Sequence, residues 1–179
     1  MVSSHQLIRN RATLVVPMSG VDFILFNAVP VIGTQGLGGC TVVIIASSQG
    51  AILAHIAPLP LPTLSDPKPL DRDPVGDQYV ESMMSQVDDL YTLYRNWLQS
   101  ATVRIICATR CAHNNQRADP ELSHHVAMME SHLQSMGLRP RRIYYTIPVV
   151  RDVNRPTQGT AFVEAGPDGP IIYHENVRI

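Results

Sequence analysis

The chain has 179 residues, 45% of them hydrophobic and 16% charged, enough to bury a sizeable core in one domain and cramped for two. Fourteen Lys and Arg against fifteen Asp and Glu leave a formal charge of -1, which argues against a field that would draw the protein to nucleic acid or to an anionic membrane. Three cysteines without regular spacing make no disulfide framework, residues 1–20 lack a signal-peptide pattern, and no run reaches the roughly 18 apolar residues of a membrane-spanning helix, so a cytoplasmic setting is expected.

The first third reads as strands. ATLVV (12–16), VDFILFNAV (21–29), TVVIIAS (41–47) and AILAHIA (51–57) are rich in Val and Ile and separated by Gly, Pro and Ser. Their continuous apolar character predicts burial on both faces. The run PLPLPTLSDPKPLDRDP (58–74) continues neither helix nor ladder and reads as an extended proline-rich loop within a single domain, 1–179.

From Asp77 to about Ser100 the apolar residues Tyr79, Val80, Met83, Met84, Val87, Leu90, Tyr91, Tyr94, Trp97 and Leu98 fall at the spacing of an amphipathic helix. The strand TVRIICATR follows. Asp119 then reads as an N-cap with Pro120 at the first helical position, and Leu122, Val126, Met129 and Leu133 line one face until Gly137. RRIYYTIPVV, GTAFVEA and PIIYHE predict three closing strands, the last two a hairpin around GPDGP. The expected architecture is an α/β (α+β) sandwich of mixed β-sheet with two covering helices.

The chemistry sits in the glycine turn before TVVIIAS. If the next turn centres on Ser48-Gln49, Ser47 pairs with Gly50, His55 lies opposite Val42 and Cys40 opposite Ala57. Cys40 and His55 then share one face of the hairpin at a diagonal of about 7 Å. A free thiol is only a few per cent thiolate at neutral pH, and an imidazole can take its proton and return it to a leaving amine. Gly36, Gly38 and Gly39 let the backbone turn sharply and bring N–H groups near the sulfur, as an oxyanion site requires. Against this, a cysteine beside a β-branched run is often filler, and His55 between Ala54 and Ile56 reads equally as a core histidine. The glycines followed by a strand are a poor phosphate loop.

Other candidates are weaker. Cys107, Cys111 and His113 lack the second ligand pair of a zinc site, which leaves Cys107 to strand packing and Cys111 to a loop. His124, His125 and His132 read as a helix face, and Arg139, Arg141 and Arg142 as a solvated turn. No metal and no cofactor is expected.

The segment Thr34-Gln35-Gly36-Leu37-Gly38-Gly39-Cys40 with Leu53-Ala54-His55-Ile56-Ala57-Pro58 resembles the chemoreceptor glutamine deamidase CheD, whose fold is shared with the cytotoxic necrotizing factor deamidases. GDQYVESMMSQVDDLY, PELSHHVAMMESHLQSMGL and TQGTAFVEAGPDGPIIYH sit where that family has its two helices and closing hairpin. The resemblance implies a CheD-like cysteine hydrolase fold and a protein-glutamine glutaminase-like activity. It makes Cys40 the nucleophile, His55 the general base and Thr34 the group that orients the imidazole. Gly39 departs from the family's serine, and ATRCAHNN replaces its glycine-rich stretch. Two rivals remain: an amidase or acyl-transfer enzyme on a small amide, and a catalytically silent binding module. The implied partner is a protein or small-molecule amide, not nucleic acid or membrane. The enzyme reading predicts that Cys40 alkylates well below pH 8 and loses that reactivity without His55.

Overall fold

The structure, a computed structural model, describes residues 12–60, 74–109, 122–147 and 158–179. Among these described residues ten strands and two α-helices follow in the order β1 (Thr13–Val15), β2 (Gly20–Leu25), β3 (Val31–Gln35), β4 (Thr41–Ala46), β5 (Gly50–Ile56), α1 (Pro74–Tyr94), β6 (Thr102–Thr109), α2 (Ser123–Ser135), β7 (Pro140–Thr146), β8 (Thr160–Gly166), β9 (Gly169–His174) and β10 (Val177–Arg178). They form two five-stranded mixed sheets, one ordered β1-β3-β8-β9-β10 and the other β2-β5-β4-β6-β7.

Two apolar clusters define three layers. Ile32, Ala161, Val163 and Ile172 of the first sheet meet Val42, Ile44, Leu53 and Ile106 of the second, while Val43, Ile45, Ile52 and Ile105 on the opposite face pack under Val80, Met83, Met84, Val126, Met129 and Leu133 of the helices. Every residue of β4 and β5 is therefore buried, which is why both read as unbroken apolar runs. The α+β sandwich holds, with the helices covering one of two sheets.

The hairpin register is the expected one, with Val42 opposite His55 and Ala46 opposite Ala51, closed by Ser47 N–H to Gly50 C=O at 2.9 Å. Other boundaries differ. The expected strand 21–29 stops at Leu25, because Ala28 and Val29 both donate to the Leu25 carbonyl and Pro30 has no N–H to extend a ladder. A new strand, β3, then starts in the other sheet. Helix α1 begins at Pro74, three residues before the expected start and inside the proline-rich run, since proline suits a first helical turn. It gives way to a 3-10 turn at Arg95–Trp97. β10 was not expected from sequence; Glu175, at φ 56, turns the chain into it.

Helix α2 starts at Ser123 with Leu122 at its cap position and no side-chain cap bond. The expected cap Asp119-Pro120, residues 61–73 of the proline loop, Cys111, His113 and the IPVV tail beyond Ile147 lie outside the described residues. No helix among the described residues is long and apolar enough to cross a membrane.

Candidate active site

The two sheets bring Thr34 and His55 together. Pairing alternates the faces of β5, so His55 points the way of Leu53 and Ala57, into the space between the sheets. Thr34 reaches the same space from β3 of the other sheet. His55 Nδ1 and Thr34 Oγ1 are 2.6 Å apart, and Thr34 Oγ1 lies 2.8 Å from the Val16 carbonyl. Both side chains are buried, at 1% and 3% exposure.

These two bonds determine the histidine tautomer. A carbonyl only accepts, so the single hydroxyl proton of Thr34 goes to Val16. The hydroxyl must then accept from His55, which places the ring proton on Nδ1 and the lone pair on Nε2. That Nε2 is buried and has no hydrogen-bond partner. Burial lowers the His55 pKa to about 4, because a desolvated imidazolium is unfavourable. At neutral pH His55 is a neutral ring with an unused basic nitrogen.

Cys40 sits at the mouth of β4 on the same inner face, 5% exposed and packed in the inter-sheet cluster. Its sulfur lies 3.8 Å from the Met18 thioether. Burial raises its pKa, and a backbone hydrogen bond from Gly38 opposes that. At neutral pH Cys40 is therefore a thiol and His55 a neutral imidazole, and no hydrogen bond joins the sulfur to His55 Nε2.

The glycine turn is shaped by its neighbours. Gly36 and Gly39 adopt φ of 84 and 110, a region that L side chains avoid, so a serine at 39 would be strained here. The Gly39 N–H donates to the Tyr145 hydroxyl at 3.0 Å, which in turn donates to the Cys40 carbonyl at 2.7 Å. Gly39 is thus a shaping residue whose amide is already engaged, not a free oxyanion donor. Gly38 reaches the sulfur, and Leu37 N–H is pinned to the Gly159 carbonyl at 3.0 Å.

Sequence reasoning missed Tyr145 and Met18. A usable signal for Tyr145 existed: a tyrosine on the inward phase of a strand, here the only buried residue of β7, needs a partner for its hydroxyl.

The remaining candidates lie elsewhere. Cys107 is buried in β6 and donates weakly to the Ile143 carbonyl, with its pKa raised to about 11 chiefly by burial. His124 and His125 both donate from Nε2 to Asp77, at 3.3 and 3.0 Å, so this partly buried helix face pins α2 to α1. Arg142 pairs with Glu130, tying β7 to α2. A groove of about 550 Å³ between the helices, lined by Val80, Met84, His124, Met128 and His132, is on the opposite side of the second sheet from Cys40. Among the described residues no three His, Cys, Asp or Glu side chains are grouped to hold a metal ion. No family model and no curated protein matches this chain.

Proposed function

We propose that the protein is a CheD-like cysteine amidohydrolase that deamidates a glutamine-type carboxamide. The observation that carries this reading is the Val16–Thr34–His55 hydrogen-bond chain, which leaves a buried, unpartnered Nε2 lone pair on the face that bears Cys40. Unpartnered ring nitrogens also occur on His125, His132 and His174; His55 differs in sharing its face with Cys40 and in having its other nitrogen fixed by Thr34.

The reaction follows from the neutral pair. As the sulfur attacks the amide carbon, the thiol proton moves to His55 Nε2, while the Thr34 hydroxyl holds the Nδ1–H through the imidazolium stage. The imidazolium then protonates the departing nitrogen, the C–N bond breaks, and ammonia leaves a thioester on Cys40. Water, deprotonated by the same Nε2, attacks the thioester and releases a carboxylate and the thiol. These steps draw only on the side chains of this chain and water.

The test is the pH dependence of iodoacetamide labelling at Cys40, located by mass spectrometry, in the native protein and in His55→Ala, with Cys107 as internal control. The expected result is labelling faster than that of Cys107 which falls 10-fold or more without His55, followed by ammonia release from glutamine-containing proteins. Labelling no faster than Cys107 and indifferent to His55 overturns the reading and leaves a binding module. Ammonia released from small amides alone moves the substrate class, not the chemistry.

A further inference from the structure

The Gly39–Cys40 end of the turn is held from across the sheet by the Tyr145 hydroxyl. β4 pairs antiparallel with β6 and β6 pairs parallel with β7, with Val42 opposite Ile106 and Ala108 opposite Tyr145. Continuing the first register by two residues brings Cys40 level with Ala108, so Cys40, Ala108 and Tyr145 stand in one row across three strands. Ala108 is small and 4% exposed, and the Tyr145 side chain extends over it to reach the turn. There its hydroxyl takes the Gly39 N–H at 3.0 Å and gives its own proton to the Cys40 carbonyl at 2.7 Å.

The opposite sheet holds the same ring. Thr34 pairs with Ala161 and Ala161 with His174, a second row that faces the inter-sheet space. The His174 ring lies 5.4 Å from that of Tyr145 at a tilt of 43°. Tyr145, 6% exposed, is thus seated by both sheets, and its hydroxyl links the Gly38–Gly39 peptide to the Cys40–Thr41 peptide, bracketing the Gly39–Cys40 unit. Gly39 at φ 110 has no side chain to hold the turn, and its added Cβ would meet nothing closer than Ile147 Cδ1 at 3.7 Å. Leu37 N–H to the Gly159 carbonyl fixes the start of the turn, and the Tyr145 hydroxyl holds its Gly39–Cys40 end.

We propose that Tyr145 is a positioning residue for the nucleophile: by clamping the Gly39 amide and the Cys40 carbonyl it sets the angle at which Cys40 Sγ meets a planar carbonyl carbon. This rests on the amidohydrolase reading. Attack on a carbonyl demands alignment of the sulfur with both the carbon and the donors that meet the new oxyanion. Displacement at a small alkyl halide demands far less.

The difference supplies the test. With p-nitrophenyl acetate the sulfur bonds to the ester carbon, its proton passes to His55, the C–O bond breaks and p-nitrophenolate leaves. With iodoacetamide a C–S bond forms and iodide leaves, with no oxyanion. Both rates are measured on the full chain, located at Cys40, in the native protein, Tyr145→Phe and His55→Ala, at a temperature where thermal unfolding shows each to be folded.

Tyr145→Phe keeps the ring against His174 and removes only the hydroxyl. The expected result is acylation slowed about 10-fold or more, the loss of one well-placed hydrogen bond, while alkylation changes less than about twofold. Equal losses in the two rates, or none, overturn the proposal, because a merely structural tyrosine has no reason to distinguish the reagents. Should Tyr145→Phe fail to fold, 3-fluorotyrosine at 145 keeps ring and clamp and alters the strength of the hydroxyl. A change confined to acylation then supports the clamp, and unchanged acylation overturns it. If His55→Ala acylates as fast as the native protein, the hydrolase reading fails and this inference with it; slow His55→Ala beside fast Tyr145→Phe overturns the positioning role alone.

Discussion

At the scale of the residue, the site turns on which atom of His55 carries the proton. Thr34 Oγ1 cannot donate to both Val16 and His55, so its removal frees the ring to flip or to protonate on the wrong nitrogen. Thr34→Val keeps the shape and loses the acceptor. The expected outcome is a rate about 10- to 100-fold lower, within the range that general-base catalysis supplies, with Thr34→Ser restoring most of it; equal rates for the two variants would remove Thr34 from the mechanism. Because burial lowers the His55 pKa to about 4, the acid limb of the rate profile should fall near pH 4 and not near 6.5. The shared face of Cys40 and His55 was legible because a two-residue turn and strand alternation convert sequence spacing into a face; Thr34 came only from the family resemblance. Tyr145 was not legible, since its partner lies 105 residues away and only the order of strands in the sheet brings the two level.

At the scale of the element, two-sided burial made β4 and β5 easy to read, and the same feature hid β3. VDFILFNAVPVIG is nearly continuous in hydrophobicity, and nothing in a pattern of apolar residues says that the chain leaves one sheet at Leu25 and enters the other at Val31. Thr34 owes its place opposite His55 to that crossing. The helices show the reverse case: their periodicity was clear, yet nothing in it said what the histidines of α2 bond to. His125 is 1% exposed and bonded to Asp77, and Gly76 lets it pack so closely that an added Cβ would stand 2.8 Å from His125 Cε1. Asp77→Ala should therefore cost about 1–3 kcal/mol by leaving buried His125 Nε2 without its acceptor, as read from urea unfolding. Alkylation of Cys40 should be unchanged, because α1 and α2 cover the far side of the sheet that carries it. A slowed thiol in this variant would show that the helix pair and the site are coupled.

At the scale of the whole molecule, both sheets bury imidazole between them, and this ties folding to pH. His55, and in the same direction His174, have pKa values lowered chiefly by burial. The unfolded chain takes up protons at these groups as pH falls below about 6.5, whereas folded His55 stays neutral until about 4. More protons are bound in the unfolded state throughout that window, so stability is full above it and declines as pH falls through it, by at most about 1.4 kcal/mol per pH unit for each proton taken up. Below about pH 4 the His55 contribution flattens, because both states are then charged. Carboxylates add their own acid sensitivity, and the difference between two proteins removes it: His55→Gln cannot titrate, so its unfolding free energy should depend less steeply on pH between 6.5 and 5 than that of the native protein. Parallel curves would mean that His55 is not held neutral between the sheets, and the unprotonated Nε2 on which the chemistry depends would go with it.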